Sequence, residues 1–182
     1  MRARFVLATC FLLAAPATAG GAYLGGSWGQ ATYEIDGGAA RTDAEDSGYK
    51  LFAGYRVTRW FGVEVAYTDL LDGHETAMDY EFDLAVSYGS VAAVGLLPVH
   101  PRLELWAMVE AAHWSADVIL DDGLDPPIDR SANGTDLGYG VGFDWYPLAR
   151  FGIRGEWERF DFGEVENLEY LSVGVVFRFK TP

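Results

Sequence analysis

Along most of this chain, apolar and polar residues alternate with a period of two, and no stretch carries the 3.6-residue rhythm of an amphipathic helix. From Gly48 to Val57 one face reads Tyr49, Leu51, Ala53, Tyr55, Val57, and the other Lys50, Phe52, Gly54, Arg56. Residues 58–60 form a turn. The next strand sets Phe61, Val63, Val65 and Tyr67 against Gly62, Glu64, Ala66 and Thr68. Phe82, Leu84, Val86, Tyr88, Ala92, Val94 and Leu96 share a face that reads as the apolar, outward one, and residues 98–101 turn the chain. Leu103, Leu105, Ala107, Val109 and Ala111 then oppose Glu104, Trp106, Met108, Glu110 and Ala112. Leu137, Tyr139, Val141, Phe143 and Trp145 oppose Asp136, Gly138, Gly140, Gly142 and Asp144. Ile153 and Trp157 oppose Arg154, Glu156 and Glu158. Leu171, Val173, Val175, Phe177 and Phe179 oppose Ser172, Gly174, Val176 and Arg178. A first strand near Ala22–Tyr33 directs Leu24 and Trp28 outward and Tyr23, Gly25, Ser27 and Gly29 inward, which makes eight strands.

The connections alternate in length. Residues 58–60, 98–101 and 147–150 are short, whereas 35–47, 70–79, 118–134 and 161–168 read as longer polar loops. The predicted fold class is all-β: an eight-stranded antiparallel up-and-down transmembrane β-barrel with short periplasmic turns and long extracellular loops.

Charge placement separates a membrane barrel from a soluble one. The apolar faces of strands two to eight carry no charge in the expected hydrocarbon band, while the opposite faces hold Lys50, Arg56, Glu64, Glu104, Glu110, Asp136, Asp144, Arg154, Glu156, Glu158 and Arg178. A basic side chain turned to lipid near the bilayer midplane costs about 2–4 kcal/mol, so a one-residue slip of a charged strand is heavily penalised. The segments run about ten residues, enough to cross a bilayer at a tilt. Aromatic side chains gather at both strand ends: Tyr55, Phe61, Trp145, Phe151, Phe177 and Phe179 at the turns, and Tyr49, Tyr67, Phe82, Trp157 and Tyr170 at the loops, as two interfacial girdles. A barrel of eight strands is only wide enough for side chains to fill it. Four cations among seven carboxylates must therefore pair within the barrel; structural satisfaction without gating is the favoured reading of this network, and a plug that leaves no general pore is the alternative.

Residues 1–19 read separately. Arg2 and Arg4 precede an apolar run from Phe5 to Ala15, and Ala17-Thr18-Ala19 is a small-residue cleavage site, which predicts an exported chain with a cleaved signal peptide at 1–19 and a barrel domain over 20–182. Cys10, the single cysteine, leaves with the signal, so neither a disulfide nor a cysteine metal site is expected. The net charge of −14 falls to −16 without the two arginines, which argues against nucleic acid as a partner and against binding anionic lipid through a basic face.

The stretch GYKLFAGYRVTRWFGVEVAYTDL resembles the second hairpin of the OmpA-type outer-membrane β-barrel family, and AAVGLLPV, GTDLGYGVGFDWY and FGIRGEWERFDFG resemble its later strands. The ending LSVGVVFRF resembles the family's assembly signal, with Ser172, Gly174, Phe177 and Phe179 at its polar, glycine and aromatic positions, followed here by Lys180-Thr181-Pro182. The resemblance implies a location in the outer membrane of a Gram-negative cell, contact with outer-membrane lipid and lipopolysaccharide, insertion by the outer-membrane assembly machinery, and a monomer. It brings no peptidoglycan-binding domain, and fold alone establishes no activity.

Candidate chemistry is sparse. His113-x-Ser115 resembles the His-x-Ser pair of barrel-type lipid A deacylases, with Asp117 on the same face as a candidate orienting acid, but Ala116 stands where that family usually has Asn. An interfacial histidine beside Trp114 is the favoured reading. His74 and His100 lack metal-ligand spacing, and Asp121-Asp122-Gly123-Leu124-Asp125 lacks the terminal bidentate Glu of a calcium loop. No cofactor and no metal are expected. The loops carry Asp43, Glu45, Asp46, Asp72, Glu75, Asp121, Asp122, Asp125, Asp129, Glu164 and Glu166, and the turns carry Arg59, Arg102 and Arg150. The expected function is a non-enzymatic barrel supporting envelope integrity, with surface contacts through acidic loops; a lipid A-modifying enzyme and a narrow channel are the alternatives.

Overall fold

A computed structural model describes residues 21–36, 41–70, 75–77, 80–121, 128–162 and 165–179, so the expected signal peptide lies outside the described residues. Strand follows strand: β1 (Ala22–Asp36), β2 (Arg41–Arg56), β3 (Phe61–Leu70), β4 (Glu75–Ala77), β5 (Tyr80–His100), β6 (Leu103–Asp121), β7 (Ile128–Trp145), β8 (Phe151–Phe162) and β9 (Val165–Arg178). Every pairing is antiparallel. The ring closes because β1 pairs with both β2 and β9 while β3 pairs with β5. The three residues of β4 pair with β5 just beyond the last β3 pair, so β3 and β4 share one place in the ring and the barrel has eight staves. Closure leaves no sheet edge, which is what a strand-built membrane protein requires.

Alternation decides what faces in. Lys50, Glu64, Glu104, Glu110, Asp144, Arg154, Glu156 and Glu158 are buried inside, while Val91, Val109, Leu137, Leu171 and Val175 are exposed on the outer wall, Leu137 by 77%. A continuous exposed apolar wall around a charged interior has a hydrocarbon neighbour, not water. On β1, Tyr23 and Ser27 are buried and Leu24 and Trp28 exposed.

The face expected of β5 is inverted. Tyr88, Ala92, Val94 and Leu96 point inward, and Val91 and Leu97 point to lipid. The reason lies in the partner strand. Cross-strand pairs share a face, and Ala92, Val94 and Leu96 pair with Glu110, Met108 and Trp106. Placing Glu110 inside therefore places Ala92 inside. Phe82, Leu84 and Val86 lie outside the residues with described side chains. A second correction concerns Tyr170, expected in the loop-end girdle. It is fully buried, and its hydroxyl donates to the Gly48 carbonyl at 3.0 Å, as its place on the inward face of β9 dictates.

The segments read as long loops are largely ladder. The β1–β2 pairing continues to Asp36↔Arg41, and β5–β6 runs from His100↔Leu103 to Glu81↔Asp121. At about 3.4 Å per residue these hairpins are roughly one and a half to two times as long as a tilted crossing needs. The surplus extends past the bilayer on one side only. On the other side the turn between β5 and β6 is just Pro101-Arg102, tighter than the expected 98–101.

Candidate functional site in the barrel interior

The interior side chains stack in tiers, because the same inward face of each strand returns every second residue. In the tier nearest the short turns, Arg56 and Arg178 both bind Glu104: Arg56 Nη1 donates to Oε2 at 2.7 Å, Arg56 Nη2 contacts Oε1, and Arg178 Nη2 donates to Oε1 at 3.0 Å. The Arg178 guanidinium also lies 3.3 Å from the centre of the Tyr146 ring.

Arg154 organises the middle tier. Its Nε donates to Asp144 Oδ1 and its Nη1 to Glu64 Oε2, each at 2.8 Å. Tyr23 donates to the same Glu64 oxygen at 2.8 Å, and Tyr146 to Asp144 Oδ2 at 3.0 Å. Trp106 Nε1 reaches Asp144 Oδ1 at 3.3 Å. The guanidinium sits 4.1 Å from the Phe52 ring centre and 4.7 Å from that of Trp106, an arrangement that suits its weakly hydrated, planar charge.

Lys50 holds the third tier. Its Nζ lies 2.6 Å from Glu156 Oε1 and also binds Glu158 Oε1. Glu156 and Glu158 converge on one ammonium because they are two residues apart on the same strand face. Glu110 is buried, and among the described residues neither of its carboxylate oxygens meets a donor in hydrogen-bond geometry. Above this tier, Ala31, Leu70, Tyr88, Ala112, Phe160, Leu168 and Tyr170 pack into an apolar cluster, with Trp114 against it. Trp114 Nε1 donates to Asp136 at 2.7 Å. Ala92, Val94, Leu96, Trp106 and Met108 form an apolar wall down one side of the lumen.

Of the eleven charged residues expected inside, the structure brings nine into three ion-pair groups. Asp136 instead pairs with an indole, and Glu110 lies beside the Lys50 group without an ion pair among the described residues. The alternation places Tyr23 and Trp106 on inward faces but does not identify them, nor Trp114 and Tyr146, as hydrogen-bonding partners of the charges. Their signal was present, since each ring falls on the inward face of its own strand or continues it. Glycines supply the room. A Cβ at Gly142 would stand 2.8 Å from Trp106 Cε2, and one at Gly54 would stand 2.7 Å from Tyr23 Cε1.

The expected assembly-signal residues line the β1–β9 seam. Ser172 Oγ donates to Ser27 Oγ at 3.2 Å, and a Cβ at Gly174 would stand 2.6 Å from Ser27 Cα. Phe177 packs at a tilt against Phe151, ring centres 4.8 Å apart, and meets Phe179 edge-on at 5.0 Å.

The His-x-Ser pair is not assembled as a nucleophile and base. His113 and Ser115 are both exposed, and His113 Nδ1 lies 3.0 Å from Oγ1 of Thr135, its cross-strand partner. Among the described residues no hydrogen bond joins His113 to Ser115. The Asp117 side chain, His74 and the 122–125 stretch lie outside the described residues. Among the described residues no group of three His, Cys, Asp or Glu is placed to hold a metal ion.

A family profile described as "Outer membrane protein beta-barrel domain" matches residues 5–179. Comparison with curated proteins by sequence finds no match. Among solved structures, Ail, the attachment invasion locus protein of Yersinia pestis, is similar with a TM-score of 0.67 at 21% identity, covering 89% of this chain and 100% of that one. A second Ail structure, in complex with the heparin analogue sucrose octasulfate, gives a TM-score of 0.66 at 22% identity over 89% of this chain and 100% of that one. Neisserial surface protein A gives 0.71 at 16% identity over 87% of this chain and 97% of that one. At these identities the structural likeness speaks for the fold.

Proposed function

Because the chain belongs to the outer-membrane protein β-barrel domain family, we propose that it serves as a closed, non-catalytic barrel that supports the envelope and presents acidic hairpins at the cell surface. The observation that carries this reading is the filled lumen: three ion-paired tiers beneath an apolar cluster, all built from inward side chains. Eight strands leave room for side chains and little else.

In this reading the short turns face the periplasm and the extended hairpins face outward. The hairpins carry Asp43, Glu45, Asp46, Asp121, Asp129 and Glu166, so their favoured contacts are divalent cations held between lipopolysaccharide phosphates, or a basic partner. A sulfated ligand like the one bound to Ail would meet like charge here. Insertion through the assembly machinery, with Ser172, Gly174, Phe177 and Phe179 as the signal, and a monomeric state complete the proposal.

Planar-bilayer recording of the purified protein tests it. The expected trace is free of large, steady conductance, and such a conductance would make the protein a channel instead. Lipid A mass spectra from cells with and without the protein should show the same acyl pattern, since His113 engages Thr135 and has no described bond to Ser115.

A further inference from the structure

Each short turn carries one arginine and no carboxylate: Arg59 in 57–60, Arg102 beside Pro101, and Arg150 in 146–150. All three are exposed. In a chain of net charge −14, this end of the barrel is therefore locally basic. Backbone hydrogen bonds set where the turns stand around the mouth. The Trp60 carbonyl accepts from Leu96 N at 2.8 Å, the Arg102 carbonyl from Tyr146 N at 2.7 Å, and the Arg150 carbonyl from Arg178 N at 2.9 Å. Each turn is thereby tied to the next stave, which spaces the three arginines around the rim. Just inside, Arg56 and Arg178 share the single carboxylate of Glu104, so the mouth behind the rim adds positive charge too.

Each arginine has an exposed apolar residue close to it in sequence: Trp60 follows Arg59, Val99 precedes Arg102 across the turn, and Leu148 precedes Arg150, Leu148 being 63% exposed. The Arg59 guanidinium lies 4.3 Å over the Trp60 ring. These residues continue the exposed wall of Phe61, Leu97, Trp145 and Phe151. The pairing of an apolar anchor with a guanidinium matches the boundary between acyl chains and headgroups, where the anchor is in hydrocarbon and the charge is at the level of phosphate.

We infer that this rim is a binding surface for the phosphodiester headgroups of anionic phospholipids in the leaflet around the short turns. The inference rests on the membrane orientation proposed above. A guanidinium offers a planar fork to phosphate oxygens, and the neighbouring apolar residue accounts for a lipid as the occupant, since a free anion would gain nothing from it. The three turns are separate, so they act as three weak sites. Each strengthens the preference for anionic over zwitterionic lipid roughly fivefold at low salt.

The test compares the full protein with the R59Q/R102Q/R150Q variant in vesicles of phosphatidylcholine, with and without phosphatidylglycerol. The readout is the urea midpoint followed by tryptophan fluorescence. The difference between the two proteins should be larger in the phosphatidylglycerol vesicles, should shrink at high salt, and should be graded in the single variants. An equal difference in both vesicle types overturns the inference. So does inorganic phosphate reproducing the larger difference in phosphatidylcholine alone, which would make the rim a site for free anions. Failure of the unmodified protein to fold in phosphatidylcholine vesicles would instead count against the membrane reading beneath it.

Discussion

At the scale of single residues, Lys50 is the most exacting position. It is 1% exposed and binds two carboxylates, Glu156 and Glu158, that are themselves out of contact with solvent. Taking charges out of water is costly, and the cost is offset only while the partners stay together. Lys50→Met should therefore destabilise the folded barrel by about 3–5 kcal/mol, because it strands two buried carboxylates. Replacing all three residues by apolar ones should recover most of that loss, since a buried ionic group exchanged whole for well-packed apolar side chains is often neutral or stabilising by about 1–4 kcal/mol. Urea unfolding of the refolded protein in detergent micelles measures both. A Lys50→Met cost below about 1 kcal/mol would show that water reaches this tier. Residues of this kind were legible in sequence as charges on an inward face. Their pairing was not, because Lys50 and Glu158 are brought together across the lumen by the closing of the ring, which no local pattern encodes.

At the scale of elements, legibility followed charge. The strands β2, β3, β6, β7 and β8 each carry at least one ionisable residue in mid-strand, and in each the inward face was correctly identified by asking which side could not meet lipid. On β5 the stretch from Ser90 to Leu97 has no charge on either face, so its own pattern is silent, and Tyr88, Val94 and Leu96 read as outward. The structure places them inside because β6 is fixed by Glu104 and Glu110, and cross-strand pairing hands that choice to β5. The size of a residue told nothing here, since the lumen beside Trp106 and Met108 needs filling as much as the outer wall needs covering. Strand ends were misjudged for a related reason: polar hairpins beyond the bilayer lose the apolar signal while keeping their ladder. Nitroxide labels attached one at a time at Val91, Ala92, Ala93 and Val94 should alternate, with 91 and 93 accessible to oxygen dissolved in the acyl chains and 92 and 94 shielded. The opposite alternation would restore the face read from β5 alone.

At the scale of the whole molecule, the tiers act in series along one axis. An ion crossing the lumen has to pass the Arg56–Glu104–Arg178 group, then the Arg154 group, then Lys50 with its two carboxylates, and finally the cluster around Tyr88, Phe160 and Tyr170. Resistances in series are governed by the largest, so opening one tier leaves the others in control. Tyr146→Ala removes the ring against Arg178 and one hydrogen bond to Asp144, yet leaves Arg154 bound to both Glu64 and Asp144. Tyr170→Ala opens the top cluster and frees the Gly48 carbonyl, yet leaves Lys50 paired below. Each single variant should therefore stay without steady conductance in planar bilayers. A combined Tyr146→Ala, Arg154→Ala, Lys50→Ala and Tyr170→Ala protein, with one large side chain removed at each level, is the one expected to conduct, provided that it still runs as a folded, heat-modifiable band. Steady conductance from either tyrosine variant alone would mean that a single tier carries the whole barrier and that the remaining charges are packed around an open path.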